Sequence, residues 1–102
     1  MAQPASANFN LDYLMELIQD RKRNPVPGSY TSYLFSLGED EILKKVGEEA
    51  VEVILAAKSQ GQDRLREEIA DWLYHMLVLL AIKDMTLDDV LQELATRHKP
   101  AQ

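Results

Sequence analysis

Cysteine is absent from the sequence, which excludes disulfides and thiolate metal sites and fits a reducing compartment. Positive charge is also scarce. With 11 Lys and Arg against 17 Asp and Glu, the formal net charge is -6, which argues against a general nucleic-acid or membrane-surface binder and suits the attraction of metal cations. A membrane-spanning run is missing too, since the longest nearly apolar stretch, WLYHMLVLLAI, is interrupted by His75 and too short to cross a bilayer. The opening MAQPASAN lacks a basic n-region and an apolar h-region and is expected to be a loose tail, not a signal peptide. The cytoplasm is the expected compartment. Strand-like alternation, internal repeats and low-complexity tracts are lacking as well.

What is present is one domain's worth of chain, 102 residues with 46% hydrophobic and 27% charged. A core of that size gains considerably from association into a dimer. Leu11, Leu14, Met15, Leu17 and Ile18 recur at helical spacing, with Asn8 or Asn10 available as a cap. This helix ends in Arg21, Lys22 and Arg23, and NPVPGS cannot continue it. Ser29, Thr31 and Ser32 are each able to cap a short helix through Tyr33, Leu34 and Phe35 that Gly38 stops, and a second loop is expected there. Two long helices follow, from about Glu39 to Ser59 and from about Asp63 to Lys83. Thr86 with Asp89 three residues on resembles the capped start of a last helix through His98. The expected fold is all-α, a bundle with two long central antiparallel helices and shorter flanking ones. Residues 1–9 and 99–102 are expected to be tails around a single domain at 10–98.

On the first long helix Ile42, Val46, Ala50, Val53, Ile54 and Ala57 fall in one arc of roughly 120°, the expected core-facing stripe. Glu49 borders that stripe, Glu52 is its i+3 neighbour, and Glu48 is the most easily solvated of the three. The second long helix is apolar nearly all round from Ile69 to Ile82 and is expected to be buried on most sides. Glu68 and Asp71, again at i and i+3, sit in that apolar company. Unpaired buried carboxylates cost several kcal/mol, so four of them call for positive charge, and a divalent cation supplies the most in the least space. Mg²⁺ or Mn²⁺ suits a set of hard oxygen ligands completed by waters and substrate phosphates. Zinc fits less well without cysteine and with one nearby histidine. A di-iron bundle would show Glu-x-x-His, whereas Glu68 is followed by Asp71 at i+3 and His75 at i+7.

The E-E-x-x-E element from Glu48 to Glu52 and the E-x-x-D element from Glu68 to Asp71, on consecutive long helices, resemble the MazG-like all-α nucleotide pyrophosphohydrolase superfamily. Within it, the segments RKRNPVPGSYTSYLFSLGEDEILKKVGEEAVEVILAAK, EEIADWLYHMLVLL and LDDVLQELATRH resemble the phosphoribosyl-ATP pyrophosphatase family of histidine biosynthesis. The resemblance covers almost everything after residue 10. It implies Mg²⁺-dependent hydrolysis of the α,β-phosphoanhydride of phosphoribosyl-ATP, releasing pyrophosphate and phosphoribosyl-AMP. It also implies a homodimer with the site near its interface, and a stand-alone form where relatives often carry a fused upstream cyclohydrolase. Carried over residue by residue, the metal ligands fall on Glu49, Glu52, Glu68 and Asp71, and Glu48 becomes either an acid that supports the ligands from behind or one that orients water.

Each of these residues also has a plainer reading. Glu48, Glu49 and Glu52 would serve as a solvated face paired with Lys44 and Lys45, but the second acidic pair in an apolar helix tips the balance toward a site. Arg21, Lys22 and Arg23 complement the negative end of the first helix. They also face the turn GSYTS, whose free N–H groups and hydroxyls suit a phosphate, so Arg21, Lys22, Ser29, Tyr30 and Thr31 are expected to bind substrate. Lys45, two turns from Glu52, is placed to reach a phosphate oxygen. His75 is expected to be a hydrogen-bonded core histidine that orients Asp71. Trp72, Tyr74, Tyr33 and Phe35 are expected in core or dimer contacts. Two competing functions are a house-cleaning pyrophosphohydrolase of noncanonical nucleoside triphosphates and a non-enzymatic helical dimerisation module.

Overall fold

Asn10, in extended backbone, accepts a hydrogen bond from the Tyr13 N–H at 2.8 Å and so starts α1, Leu11–Arg23. The computed structural model describes residues 8–100; the expected tails fall largely on residues 1–7 and 101–102, which lie outside the described residues. Of the three candidate caps for α2, Tyr30–Leu37, Ser29 is used, its hydroxyl accepting from the Ser32 N–H. No second loop follows. Gly38 alone separates α2 from α3, Glu39–Ser59, because its φ of 93° turns the chain in one residue, a backbone state that glycine adopts without steric cost.

The reversal into α4, Gly61–Ile82, is equally short, with Gln60 the last cap of α3 and Gly61 at φ 88°. The α4 helix therefore starts two residues earlier than expected and ends one earlier. Beyond it, Thr86 and Asp89 form a reciprocal capping box that opens α5, Leu87–Arg97. The result is all-α, and among the described residues there is no strand. None of the described helices is long and apolar enough to cross a membrane.

The core draws Met15 and Ile18 from α1, Leu34 from α2, Ile42 from α3 and Leu77, Val78 and Ala81 from α4. It gathers around the end of the α3/α4 hairpin remote from the Gln60 reversal, where α1 and α2 pack. Away from that end α3 has α4 as its main neighbour, and its protected stripe is shifted round the helix from the expected arc, with Ala50 still inside it and Lys45 and Glu52 half-buried on the other side. Ile42, Val46, Glu49, Val53 and Ala56 are buried or half-buried and step by four, three, four and three residues, the spacing of a two-helix seam. Ala56 takes the place expected for Ala57, and Ile54, expected in the core, is 61% exposed. On α4 the expected burial on most sides holds from Trp72 to Ile82, each buried or half-buried, and gives way only at Ile69, Ala70 and Asp71, which are exposed.

Candidate metal centre

Leu65, Glu68, Trp72, His75, Leu79 and Ile82 form the matching seam of α4, stepping by three and four residues and each buried or half-buried. Glu49 on α3 and Glu68 on α4 thus occupy positions that apolar side chains fill in an ordinary helix pair. Their meeting follows from the length of the hairpin. Glu49 and Asp71 each stand eleven residues from Gln60, and Glu52 and Glu68 each stand eight, so in antiparallel helices of equal rise each pair lies at one height.

Glu49, Glu68 and Asp71 bring one carboxylate oxygen each within 4.8 Å of one another. Opposite ligands of a Mg²⁺ octahedron lie about 4.2 Å apart at bond lengths near 2.1 Å, so small side-chain rotations would close this set on a hard cation. Glu68 is the anchor, buried at 3% exposure; Glu49 is half-buried and Asp71 opens to solvent. Glu52 and Glu48 line the same open cleft, of about 520 Å³, outside the three-oxygen cluster. Glu48 is exposed, in line with its ranking from the sequence as the most solvated of the three α3 acids.

Burial, and after it the negative charges of Asp71 and Glu68, push the Glu49 carboxyl above the ordinary glutamate range, against the opposing pull of His75 and Lys45. The Tyr30 phenol is raised first by burial and then by Glu49, with smaller contributions from Tyr33 and Asp71. Its hydroxyl, 3.1 Å from His75 Nε2, sets Tyr30, in the first turn of α2, against the helix that carries Glu68 and Asp71.

Of the other expected substrate residues, Lys45 acts electrostatically on Glu49. The Thr31 hydroxyl is bonded to the Tyr74 hydroxyl, and Ser29 is engaged as the α2 cap. Arg21 pairs with its neighbour Asp20 at 3.1 Å. The Lys22 ammonium donates to the Ala81 carbonyl and to Asp84, both at 2.9 Å, at the far end of α4 from the Gln60 reversal, so the structure does not bring Arg21 or Lys22 to the acidic cleft.

His75 is a buried, bonded core histidine, as expected, but it grips the main chain of Asp71, with Nδ1 2.7 Å from the carbonyl oxygen. Phe35 and Tyr74 pack against the core, whereas Tyr33 is exposed and, with Tyr30, Tyr74 and His75, forms a ring cluster beside the cleft. One cleft residue escaped the sequence reading. Arg64 Nη2 lies 2.6 Å from Glu68 Oε2, and the available signal was its i+4 spacing to an acid already singled out.

The family described as Phosphoribosyl-ATP pyrophosphohydrolase matches residues 11–98. A Phosphoribosyl-ATP pyrophosphatase of Lactiplantibacillus plantarum is 57% identical over 89 residues, 87% of this chain and 84% of the relative. One of Bacillus cereus is 54% identical over 85 residues, 83% of this chain and 79% of the relative. A Histidine biosynthesis bifunctional protein HisIE of Caldanaerobacter subterraneus is 53% identical over 89 residues, which span 87% of this chain and 43% of that protein.

Proposed function

We propose, from the premise that the chain belongs to the phosphoribosyl-ATP pyrophosphohydrolase family, that it hydrolyses phosphoribosyl-ATP to phosphoribosyl-AMP and pyrophosphate in histidine biosynthesis in the cytoplasm. The observation that carries this reading to the residues is the convergence of Glu49, Glu68 and Asp71 in an open cleft. Three hard oxygens and no sulfur match Mg²⁺, with Mn²⁺ as a substitute. Glu49, Glu68 and Asp71 would hold the cation, with Glu52 completing the set from the cleft wall. When bound, it would supply positive charge to the oxygens of the two phosphates whose shared anhydride P–O bond breaks.

The remaining work falls to side chains around that point. Glu48 stays outside the cluster at the cleft rim and is the carboxylate available to orient the attacking water and accept its proton. Lys45 offsets charge at Glu49 and is proposed to steady a phosphate oxygen of the departing pyrophosphate. The Tyr30 hydroxyl, held by His75, is proposed to contact the substrate beside the cleft. Ser29 and Thr31 are proposed to contact the substrate beyond the α2 turn, whereas Arg21 and Lys22, expected there from the sequence, stay with their present partners.

Dimerisation is the second part of the proposal. Val51, Ile54 and Leu55 form an exposed apolar face of α3, and Leu91 and Leu94 another on α5, more apolar surface than a lone small domain keeps in water. A second copy would cover it.

Incubation with phosphoribosyl-ATP and Mg²⁺ tests the activity, and pyrophosphate release no greater than background would sink it. Faster turnover of noncanonical nucleoside triphosphates would select the house-cleaning function instead.

A further inference from the structure

Arg64 stands in the first turn of α4, where the partial positive charge of a helix N-terminus disfavours a cation. It is held there by two acids. Nη1 lies 3.2 Å from Glu67 Oε1, and Nη2 lies 2.6 Å from Oε2 of Glu68. The Arg64 side chain is 51% exposed while that of Glu68 is 4% exposed, so a half-solvated cation reaches in to a buried anion. Among the described residues no ion pair is made by Glu49 or Asp71, the other two members of the oxygen cluster. The cleft's strongest charge compensation is therefore concentrated on its most buried carboxylate.

We infer that Arg64 is the internal counter-ion of the acidic cleft, which pairs with Glu68 in the cation-free protein and must yield that carboxylate when a divalent cation binds. The inference rests on the proposed cation site. The fork geometry makes the exchange easy, because Glu67 already holds the other nitrogen and the guanidinium keeps an anionic partner after leaving Glu68. A buried carboxylate without compensation costs several kcal/mol, so Arg64 stabilises the empty cleft. For the same reason it competes with the incoming ion, and Arg64 sets the cation concentration at which the site fills.

Titration calorimetry with Mn²⁺ alone, on the full chain without substrate, reads this directly. Arg64→Gln should bind Mn²⁺ about tenfold more tightly or better, the equivalent of one charge-assisted hydrogen bond. Its melting temperature in EDTA should fall below wild type and recover with saturating Mn²⁺. Arg66→Gln removes an equal charge from an exposed neighbour paired with Asp63 and should change the dissociation constant by less than about twofold, separating competition from general electrostatics. Arg64→Lys keeps the charge without the fork and should lie between wild type and Arg64→Gln.

Unchanged or weaker Mn²⁺ binding by Arg64→Gln, in a background where wild type binds and Glu68→Gln does not, overturns the inference and leaves the cation site standing. No binding by wild type or by Arg64→Gln overturns both. Binding by Arg64→Gln alone supports the inference in its strongest form.

Discussion

The Tyr30 hydroxyl donates to His75 Nε2 across 3.1 Å, tying the first turn of α2 to the helix that carries Glu68 and Asp71. The direction of this bond is fixed from the other side of the ring. A carbonyl oxygen only accepts, so in the neutral ring the proton sits on Nδ1, facing Asp71, and Nε2 is left as the acceptor. Tyr30→Phe and His75→Phe should each lower stability, by about 1 kcal/mol for the exposed partner and up to about 3 kcal/mol for the buried histidine. A double-mutant cycle by chemical denaturation should return a coupling of about 1 kcal/mol. Strict additivity would show that the bond does not hold the two helices.

Glu49 links stability to pH. Its raised folded-state pKa means that the native state binds the proton more tightly than the unfolded chain, so its contribution is present below the unfolded value and lost as pH rises through the raised one. In EDTA the melting temperature should therefore decline with pH across the window just above the ordinary glutamate range, and Glu49→Gln should flatten that decline. Saturating Mg²⁺ should reverse the slope there, since the cation competes with the proton. The same slope with and without Mg²⁺ would remove Glu49 from the site.

Neutral replacement of the cluster should separate activity from folding. Glu68→Gln and Asp71→Asn are each expected to lower kcat/KM on the order of 100-fold or more, since even partners behind metal ligands are worth 10- to 100-fold. Circular dichroism should show folded helices in both. Near wild-type turnover in either variant would exclude that residue as a ligand.

Lys22 makes two bonds at the C-terminal end of α4, to the Ala81 carbonyl and to Asp84. Lys22→Met should cost about 1 kcal/mol, or about 4–8 °C in melting temperature for a domain near 100 residues, with KM for the substrate unchanged. A higher KM at unaltered stability would instead give Lys22 the substrate role expected from the sequence.

Ile54 is 61% exposed, so a charge placed there disturbs little of the monomer core. Ile54→Glu should shift the sedimentation equilibrium toward monomer with the helix content kept. A wild-type protein that sediments as a monomer at all concentrations tested would end the dimer proposal.

The sequence by itself determined the helices and the identity of the acids, because both are local properties. Asn10, Ser29 and the Thr86/Asp89 box satisfy helix-end N–H groups within three residues, and i, i+3 spacing puts Glu68 and Asp71 on one face whatever they pack against. Which surfaces are covered was decided only in three dimensions. Periodicity gives the direction of a side chain but not how many neighbours stand there, so Ile54 passed for core and Ala56 did not. The same limit hid the partners of charge. Nothing local to Lys22 shows that Ala81 and Asp84 lie beside it, and the one-residue reversal at Gln60 brings Glu49 level with Asp71. Arg64 was legible as a neighbour of Glu68, but its meaning came from the burial of that carboxylate between two helices, which only the tertiary structure imposes.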